Sequence, residues 1–367
     1  MQTHRWLRPA GLLSLLALGL SGCEFAGPQS IFDTAGPIAE AQRDLFVWSY
    51  QLSWIVVIGV FGVMGYVIWR FRQRKGSDAI PKQFHGNTAL EIWLTIIPVI
   101  IVIAVAVPTV RTIFATETRV VPDEDAVIVN VTGYQWWWRF EYPELGIVTA
   151  NELVIPTDRQ VVVNLDSADV LHSFWVPRLA GKRDMIPNQN NQLHFTADEP
   201  GEYYGQCAEL CLGAHAYMKF RVIATDDAEF DAWATSFQEA ADRTVQADPQ
   251  IQQGEALFAT KGCATCHTID GYRDDVRVGT PDFPNLTNFG LRNTIAAAVV
   301  DNTQANLEQW LRDPQSIKPG NRMPAVWDTN DPNADEEIAA VAAYLRSLGV
   351  EPATQTQASI GANHGDR

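Results

Sequence analysis

The chain has 367 residues, which at roughly 100–200 residues per domain predicts two or three domains rather than one. Hydrophobic residues make up 47% and charged residues 19%, a balance that excludes an intrinsically disordered chain. The formal net charge of −16 argues against nucleic acid as a partner, because phosphate binding needs clustered Lys and Arg.

Taken in chain order, residues 1–22 read as a signal peptide. His4, Arg5 and Arg8 precede an apolar run, Gly11–Leu20, too short for a bilayer crossing of about 20 residues. Leu20-Ser21-Gly22-Cys23 resembles a bacterial lipobox, which predicts lipidation at Cys23; an ordinary signal peptide with an incidental Cys is the alternative. Residues 23–45 form an outer segment. A transmembrane hairpin is predicted over 46–110, because Phe46–Trp69 and Ala89–Val110 each exceed about 20 residues with few charges. The loop between them carries Arg70, Arg72, Arg74, Lys75 and Lys82 against Asp78, so it is cytoplasmic and everything after about residue 111 is external. Glu91, at the cytoplasmic edge of the second span, either snorkels to the headgroups or belongs to an ion path.

Beyond the membrane the composition changes. Val-rich alternating stretches (Ala126–Thr132, Leu153–Ile155, Gln160–Leu165, Gln192–Phe195, Lys219–Ile223) separated by Pro, Gly, Asp and Asn clusters predict a small all-β sandwich or barrel over 111–225. Residues 226–248, rich in Asp, Glu, Ala and Gln, predict a short helix or linker. Residues 249–349 read as mostly helical, followed by a polar tail, 350–367.

Five cysteines cannot make a disulfide scaffold in a chain this long, and their grouping matters more than their number. Cys207-Ala-Glu-Leu-Cys211-Leu-Gly-Ala-His215-Ala-Tyr-Met218 offers two thiols, an imidazole and a thioether from one segment, with His172 at the end of an apolar stretch upstream. Soft sulfur with imidazole selects copper or zinc. A distant His followed by a Cys–His–Met loop on a β-sandwich is the blue-copper arrangement, and the second thiol favours a dinuclear over a mononuclear centre. Structural zinc, which leaves Met218 unused, and a disulfide are the alternatives.

At these residues the chain resembles the dinuclear copper (CuA) domain of cytochrome c oxidase subunit II. The resemblance rests on Cys-x-Glu-x-Cys-x₃-His-x₂-Met, Asp169-Val-Leu-His172, Phe174-Trp-Val-Pro177, Gly133-Tyr-Gln-Trp-Trp-Trp-Arg-Phe-Glu-Tyr142, Gly201-Glu-Tyr-Tyr-Gly-Gln206, and Leu90-Glu-Ile-Trp93 with Pro98; it covers about residues 38–225. It implies a cupredoxin-like fold and copper ligation by His172, Cys207, Cys211, His215, Met218 and the backbone carbonyl of Glu209. It also implies electron entry at Trp136, Mg²⁺ binding by the Glu209 carboxylate at the boundary with subunit I, and a place for Glu91 at the mouth of a proton channel.

Cys263-Ala-Thr-Cys266-His267 is the attachment signature of covalent haem c, with His267 as proximal ligand; a redox-active C-x-x-C pair is the alternative. The sixth ligand needs a soft donor downstream, and Met323 is the only Met after His267, with His364 in the tail as its competitor. Pro319-Gly-Asn-Arg-Met-Pro324 resembles the distal loop of class I cytochromes c and Pro284-Asn-Leu286 their haem-packing loop, with Trp310, Tyr344 and Leu345 expected around the macrocycle. His194 is expected at a strand edge or surface, and His85 at an interface.

The combination resembles subunit II of the caa-type oxidases of bacteria. It implies a multidomain chain: a two-helix transmembrane hairpin, an all-β cupredoxin-like sandwich or barrel, and an all-α cytochrome c domain. The implied role is electron entry, from a donor through haem c and copper to subunit I, where O₂ is reduced to water with proton translocation. Implied partners are subunits I and III and cytochrome c, another donor or the preceding respiratory complex; the implied location is the bacterial cytoplasmic membrane, with both redox domains outside. Tethering raises the donor's local concentration to roughly millimolar. The rivals are the electron-entry subunit of a copper-containing nitric oxide reductase, and a membrane-anchored carrier without a catalytic partner. Two spans speak against the carrier, since a lipid plus one helix suffices for anchoring.

Overall fold

The computed structural model describes residues 26–72, 86–116, 121–239, 248–270, 280, 282–328 and 330–350. The predicted signal peptide, Cys23, Arg74–Lys82, His85 and His364 lie outside the described residues. The chain divides into two compact units, Glu40–Arg119 and the remainder.

Two helices, α1 (Pro37–Phe71) and α2 (Thr88–Thr116), carry windows of mean hydropathy 2.1 and 2.7, long and apolar enough to cross a membrane. Their Ile, Val, Leu and Phe side chains, such as Ile58 and Leu94, stand exposed, as lipid-facing residues do. Helix α1 begins before the apolar run at Phe46. Pro37 suits the first helical turn, and Ala, Glu, Gln and Arg over 39–43 are strong helix formers that hydropathy alone does not register. At 35 residues it is about 52 Å long, more than the roughly 30 Å hydrocarbon thickness of a bilayer. Asn87 caps α2 by accepting from Leu90 N at 3.2 Å, which leaves Glu91 exposed in the first turn.

The β-domain is a sandwich of two five-stranded sheets. The first holds β1 (Val127–Tyr134), β2 (Trp137–Tyr142), β3 (Ile147–Ala150), β5 (Val161–Ser167) and β8 (Asn191–Phe195), in the order β3-β2-β1-β5-β8. The second holds β4 (Glu152–Pro156), β6 (His172–Trp175), β7 (Arg183–Met185), β9 (Gly201–Cys207) and β10 (Lys219–Thr225), in the order β4-β10-β9-β6-β7. Alternation along β1, and along β10 as far as Ala224, sends every second residue inward. Val129, Val131, Trp138, Phe140 and Leu165 thereby meet Leu153, Phe174, Phe220 and Val222. Tyr142 stitches β2 to β4, its hydroxyl donating to Val154 O at 2.8 Å and accepting from Val154 N at 2.9 Å. His194 is half-buried on edge strand β8.

The acidic segment after β10 forms helix α3 (Asp227–Glu239), whose Phe230, Ala234 and Phe237 are buried at helical spacing in the sandwich core. Trp233 lies 5.2 Å from the Tyr142 ring.

The C-terminal domain packs α4 (Pro249–Thr260), α5 (Gln304–Arg312), α6 (Pro314–Ile317) and α7 (Ala334–Ser347) around Phe258, Leu307, Leu311, Val341, Tyr344 and Leu345, with Trp310 against that core. A two-residue strand pair, β11 (Thr294–Ile295) and β12 (Val300–Asp301), is its only sheet among the described residues. Asp248 caps α4, accepting from Gln250 N and Ile251 N. At Gly254 a Cβ would collide with the Ala340 carbonyl, so α4 and α7 cross backbone to backbone.

Candidate metal centres

Antiparallel pairing of β9 with β10 holds the two ends of the Cys207–Met218 segment together, and Cys207 N donates to Met218 O at 3.0 Å. Strand β6 pairs with β9 and brings His172, fully buried, beside Cys207. Cys207 and Cys211 are free thiols with sulfurs 3.8 Å apart. His172 Nδ1 lies 3.9 Å from Cys207 Sγ, and His215 Nδ1 3.5 Å from Cys211 Sγ. The Met218 thioether is 3.7 Å from Cys211 Sγ, and the Glu209 carbonyl oxygen 3.1 Å from Cys207 Sγ. All six ligands expected from the sequence thus stand around one pair of sulfurs. A set with two thiols, two imidazoles and a thioether suits copper, and it departs from the Cys/His set of structural zinc.

Asp169 Oδ1 holds His172 Nε2 at 2.9 Å, which puts the ring proton on Nε2 and leaves Nδ1 facing the sulfurs. A hydrogen bond from the Cys211 thiol, against the opposing pull of burial, brings Cys207 down to about 3. The same contact, with burial, pushes Cys211 up. Burial pulls His172 down, but the hydrogen bonds to Asp169 and Cys207 together outweigh it and leave the imidazole raised. The close contact of the two sulfurs thus splits their acidities, easing loss of the first proton and hindering loss of the second.

In the helical domain, Cys263 and Cys266 flank a 3-10 turn just after α4. His267 Nδ1 pairs with Pro284 O at 2.9 Å; with the ring proton there, Nε2 is free to ligate. Burial pulls the His267 imidazole down, keeping it neutral. Burial also pushes Cys263 up to about 11, the opposite of the lowered thiol that a redox-active pair requires. Met323 lies against the same core as Cys263, its backbone N–H donating to Asn321 Oδ1 at 2.7 Å. A half-buried proximal imidazole of fixed tautomer, two uncommitted thiols and a downstream thioether fit covalent haem c.

The copper and haem domains meet in contacts that sequence reasoning missed. Trp136 is half-buried, and its Nε1 donates to Cys211 O at 3.0 Å. Over it sit two residues of the haem domain: Lys318 Nζ donates to Trp136 O at 2.5 Å, and the Arg322 guanidinium lies 5.5 Å from the ring centroid. Lys318 is buried, which pushes its ammonium down to about 7 in spite of the nearby Cys211 sulfur. Elsewhere the Glu152 carboxylate, 4% exposed at the start of β4, accepts from Thr294 N and Thr294 Oγ1 at 2.6 Å each and from Asn293 N at 3.2 Å. Asp169 and Arg322 lie inside the Asp169–His172 and Pro319–Pro324 motifs but were not singled out there, and Glu152 and Lys318 lie outside every motif; only the short Asp169-to-His172 spacing was a readable signal.

Sequence profiles agree with this architecture. The transmembrane domain of cytochrome c oxidase subunit II matches residues 26–112, its periplasmic domain residues 145–225, and cytochrome c residues 251–349. Cytochrome c oxidase subunit 2 of Alkalihalophilus pseudofirmus is 40% identical over 342 residues, 92% of this chain and 96% of the relative. This chain belongs to the cytochrome c oxidase subunit II family. The subunit 2 of Bacillus sp. (strain PS3) is likewise 40% identical, over 93% of this chain and 97% of its own. Quinol oxidase subunit 2 of Bacillus spizizenii is 36% identical over 65% of this chain and 75% of the relative. A crystal structure of the periplasmic domain of subunit II from Bradyrhizobium japonicum is 32% identical over 33% of this chain and 98% of that one, with a TM-score of 0.31. The family makes the chain an electron-entry subunit of an oxidase, membrane-anchored with a periplasmic domain, in a complex that includes subunit I. Its cofactors are the dinuclear copper of the subunit II domain and the haem c of the fused cytochrome.

Proposed function

We propose that His172, Cys207, Cys211, His215, Met218 and the Glu209 carbonyl hold the copper pair, and that Cys263, Cys266, His267 and Met323 hold haem c. When bound, the two groups supply one-electron carriers with potentials set by their ligands. The protein's part is to fix those ligands and exclude water. Asp169 and the Pro284 carbonyl each select one imidazole tautomer, and the buried sandwich core around Met218 and Phe174 keeps the copper site dry. Trp136 lies between the haem-bearing loop and Cys211 and serves electron entry to the copper. The convergence of two thiols, two imidazoles and a thioether within hydrogen-bonding reach of one another carries this reading.

The same reading takes residues 23–45 as an outer segment after a cleaved signal, with lipid on Cys23. It takes 46–110 as a hairpin crossing the bacterial cytoplasmic membrane twice, 111–225 as the copper domain, and 249–349 as the haem domain reached through 226–248. Subunit III and a cytochrome c, another donor or the preceding respiratory complex complete the partners. Glu91 serves proton entry toward subunit I, and the Glu209 carboxylate holds Mg²⁺ at that boundary.

The test is metal analysis with electron paramagnetic resonance on the full-length chain matured with haem and copper. The expected result is two coppers per haem iron with one unpaired electron shared over both; a mononuclear signal overturns the copper assignment. In Met323→Ala the haem should stay attached while the iron opens to external ligands, and an unchanged haem spectrum removes Met323 from the ligand set.

A further inference from the structure

Gln135 touches both metal-binding segments. Its Nε2 donates to Cys211 O at 2.9 Å, and its Oε1 accepts from Nη2 of Arg322, the residue bonded to Met323. Its backbone N–H donates to Asp169 Oδ2 at 2.7 Å, and Asp169 in turn holds His172. The amide has a required sense here, because the Cys211 carbonyl can only accept and the Arg322 guanidinium can only donate. A carboxylate of the same length would satisfy the arginine alone, and a thioether neither. Packing at this contact is close: a Cβ at Gly213 would overlap the Trp136 ring that Arg322 covers.

We infer that Gln135, acting through Arg322, is a positioning residue that holds the Met323 loop in one register on the Cys207–Met218 loop. The inference rests on the ligand assignment proposed above. The step it serves transfers one electron, oxidising the iron held at His267 and Met323 and reducing the copper pair held at Cys207 and Cys211, with no proton moved and no bond made or broken. Electron tunnelling slows steeply with separation, so a loop that loses its register loses rate while both ligand sets stay intact. Loss of a hydrogen bond to a charged group shifts the population of the held register by roughly tenfold to about 100-fold.

The experiment compares wild type, Gln135→Met, Arg322→Met and the double variant, each as the full chain in its oxidase complex. Two quantities are read: amide hydrogen exchange over residues 318–323, in copper-free and copper-loaded protein, and the rate of haem-to-copper equilibration after photoreduction. Each single variant should exchange at least about tenfold faster and transfer electrons at least about tenfold more slowly, with haem absorption and copper resonance unchanged. The effect in the double variant should fall clearly short of the product of the two single effects, because both singles remove the shared Gln135–Arg322 bond although each also removes a contact of its own. Wild-type exchange and transfer in Gln135→Met overturn the inference, and so do effects that multiply in the double variant. Wild-type protein lacking the dinuclear copper or methionine-ligated haem spectra would fail the ligand assignment instead; exchange in the copper-free protein would still decide whether Gln135 holds the loop.

Discussion

Removing the Glu152 carboxylate should loosen the haem domain from the copper domain while leaving both folded. Three donors converge on it: Thr294 N, Thr294 Oγ1 and Asn293 N. Asn293 is exposed, so water can replace the carboxylate there, whereas Thr294 is buried. In Glu152→Ala the stranded Thr294 amide costs about 1–3 kcal/mol, and its hydroxyl adds roughly 1 kcal/mol where it finds no new partner. The sum, about 2–4 kcal/mol, corresponds to an opening equilibrium roughly 30-fold to 1,000-fold more favourable. In Glu152→Gln the carbonyl oxygen can take the place of the one oxygen that accepts both Thr294 donors, so only the contact to exposed Asn293 N is lost and the variant should fall between wild type and the alanine variant, nearer wild type. The assay is native-state hydrogen exchange on the full chain, comparing the Thr294 amide with Val131 in the sandwich core. Faster exchange at Thr294 in the order wild type, Gln, Ala, with Val131 unchanged, is the expected outcome. Wild-type protection at Thr294 in Glu152→Ala would refute the reasoning, and equal acceleration at Val131 would mean that the carboxylate supports the sandwich rather than the contact.

Asp169→Asn should weaken copper binding by about 10- to 100-fold, because the carboxylate fixes the tautomer and basicity of His172; competition against a chelator of known affinity measures it, and an unchanged constant dismisses the orienting role. Copper affinity should rise with pH from the ordinary imidazole range upward, since Cys211 and His172 are both raised and each must release its proton to bind metal. A flat affinity over that range would contradict this. Lys318, ordinarily at 10.5 and held near 7 where it is buried, should make docking of the haem domain tighten as pH rises from about 7 to 10.5. In that window a released Lys318 binds more protons than a docked one, while below about 7 both forms are protonated and the dependence ends. Exchange over residues 318–323, corrected for intrinsic rates, reads this effect, and Lys318→Met should abolish it.

The candidate centres were legible because the residues proposed for them are local. Five of the six proposed copper ligands fall between Cys207 and Met218, and three of the four proposed haem ligands fall within Cys263–His267, so spacing alone carries the reading. His172 lies 35 residues before Cys207 and was readable only as the distant imidazole that a Cys–His–Met loop on a β-sandwich calls for; the pairing of β6 with β9 is what brings it to the sulfurs. The contacts between the domains were not legible. Glu152 is 142 positions from Thr294, and Lys318 is 182 positions from Trp136; a single charge in a strand or loop reads as solvated until the fold buries it. Hydropathy likewise found the apolar part of α1 but not its polar first turns, because propensity and a favourable Pro, rather than apolarity, make those helical. The acidic composition of 226–248 left helix and linker equally open, and the spacing of Phe230, Ala234 and Phe237 gains its meaning only against the sandwich they cover.

That packed helix also sets the length of a leash. With α3 anchored on the sandwich by Phe230, Ala234 and Phe237 and ending at Glu239, and α4 beginning at Pro249, the chain between them can span at most roughly 35 Å. A haem domain released from Glu152 and Gln135 therefore stays within about one domain diameter of its docking surface, where recapture competes with any donor in solution. Even complete loss of the docking contacts would therefore leave the two domains no farther apart than that reach allows.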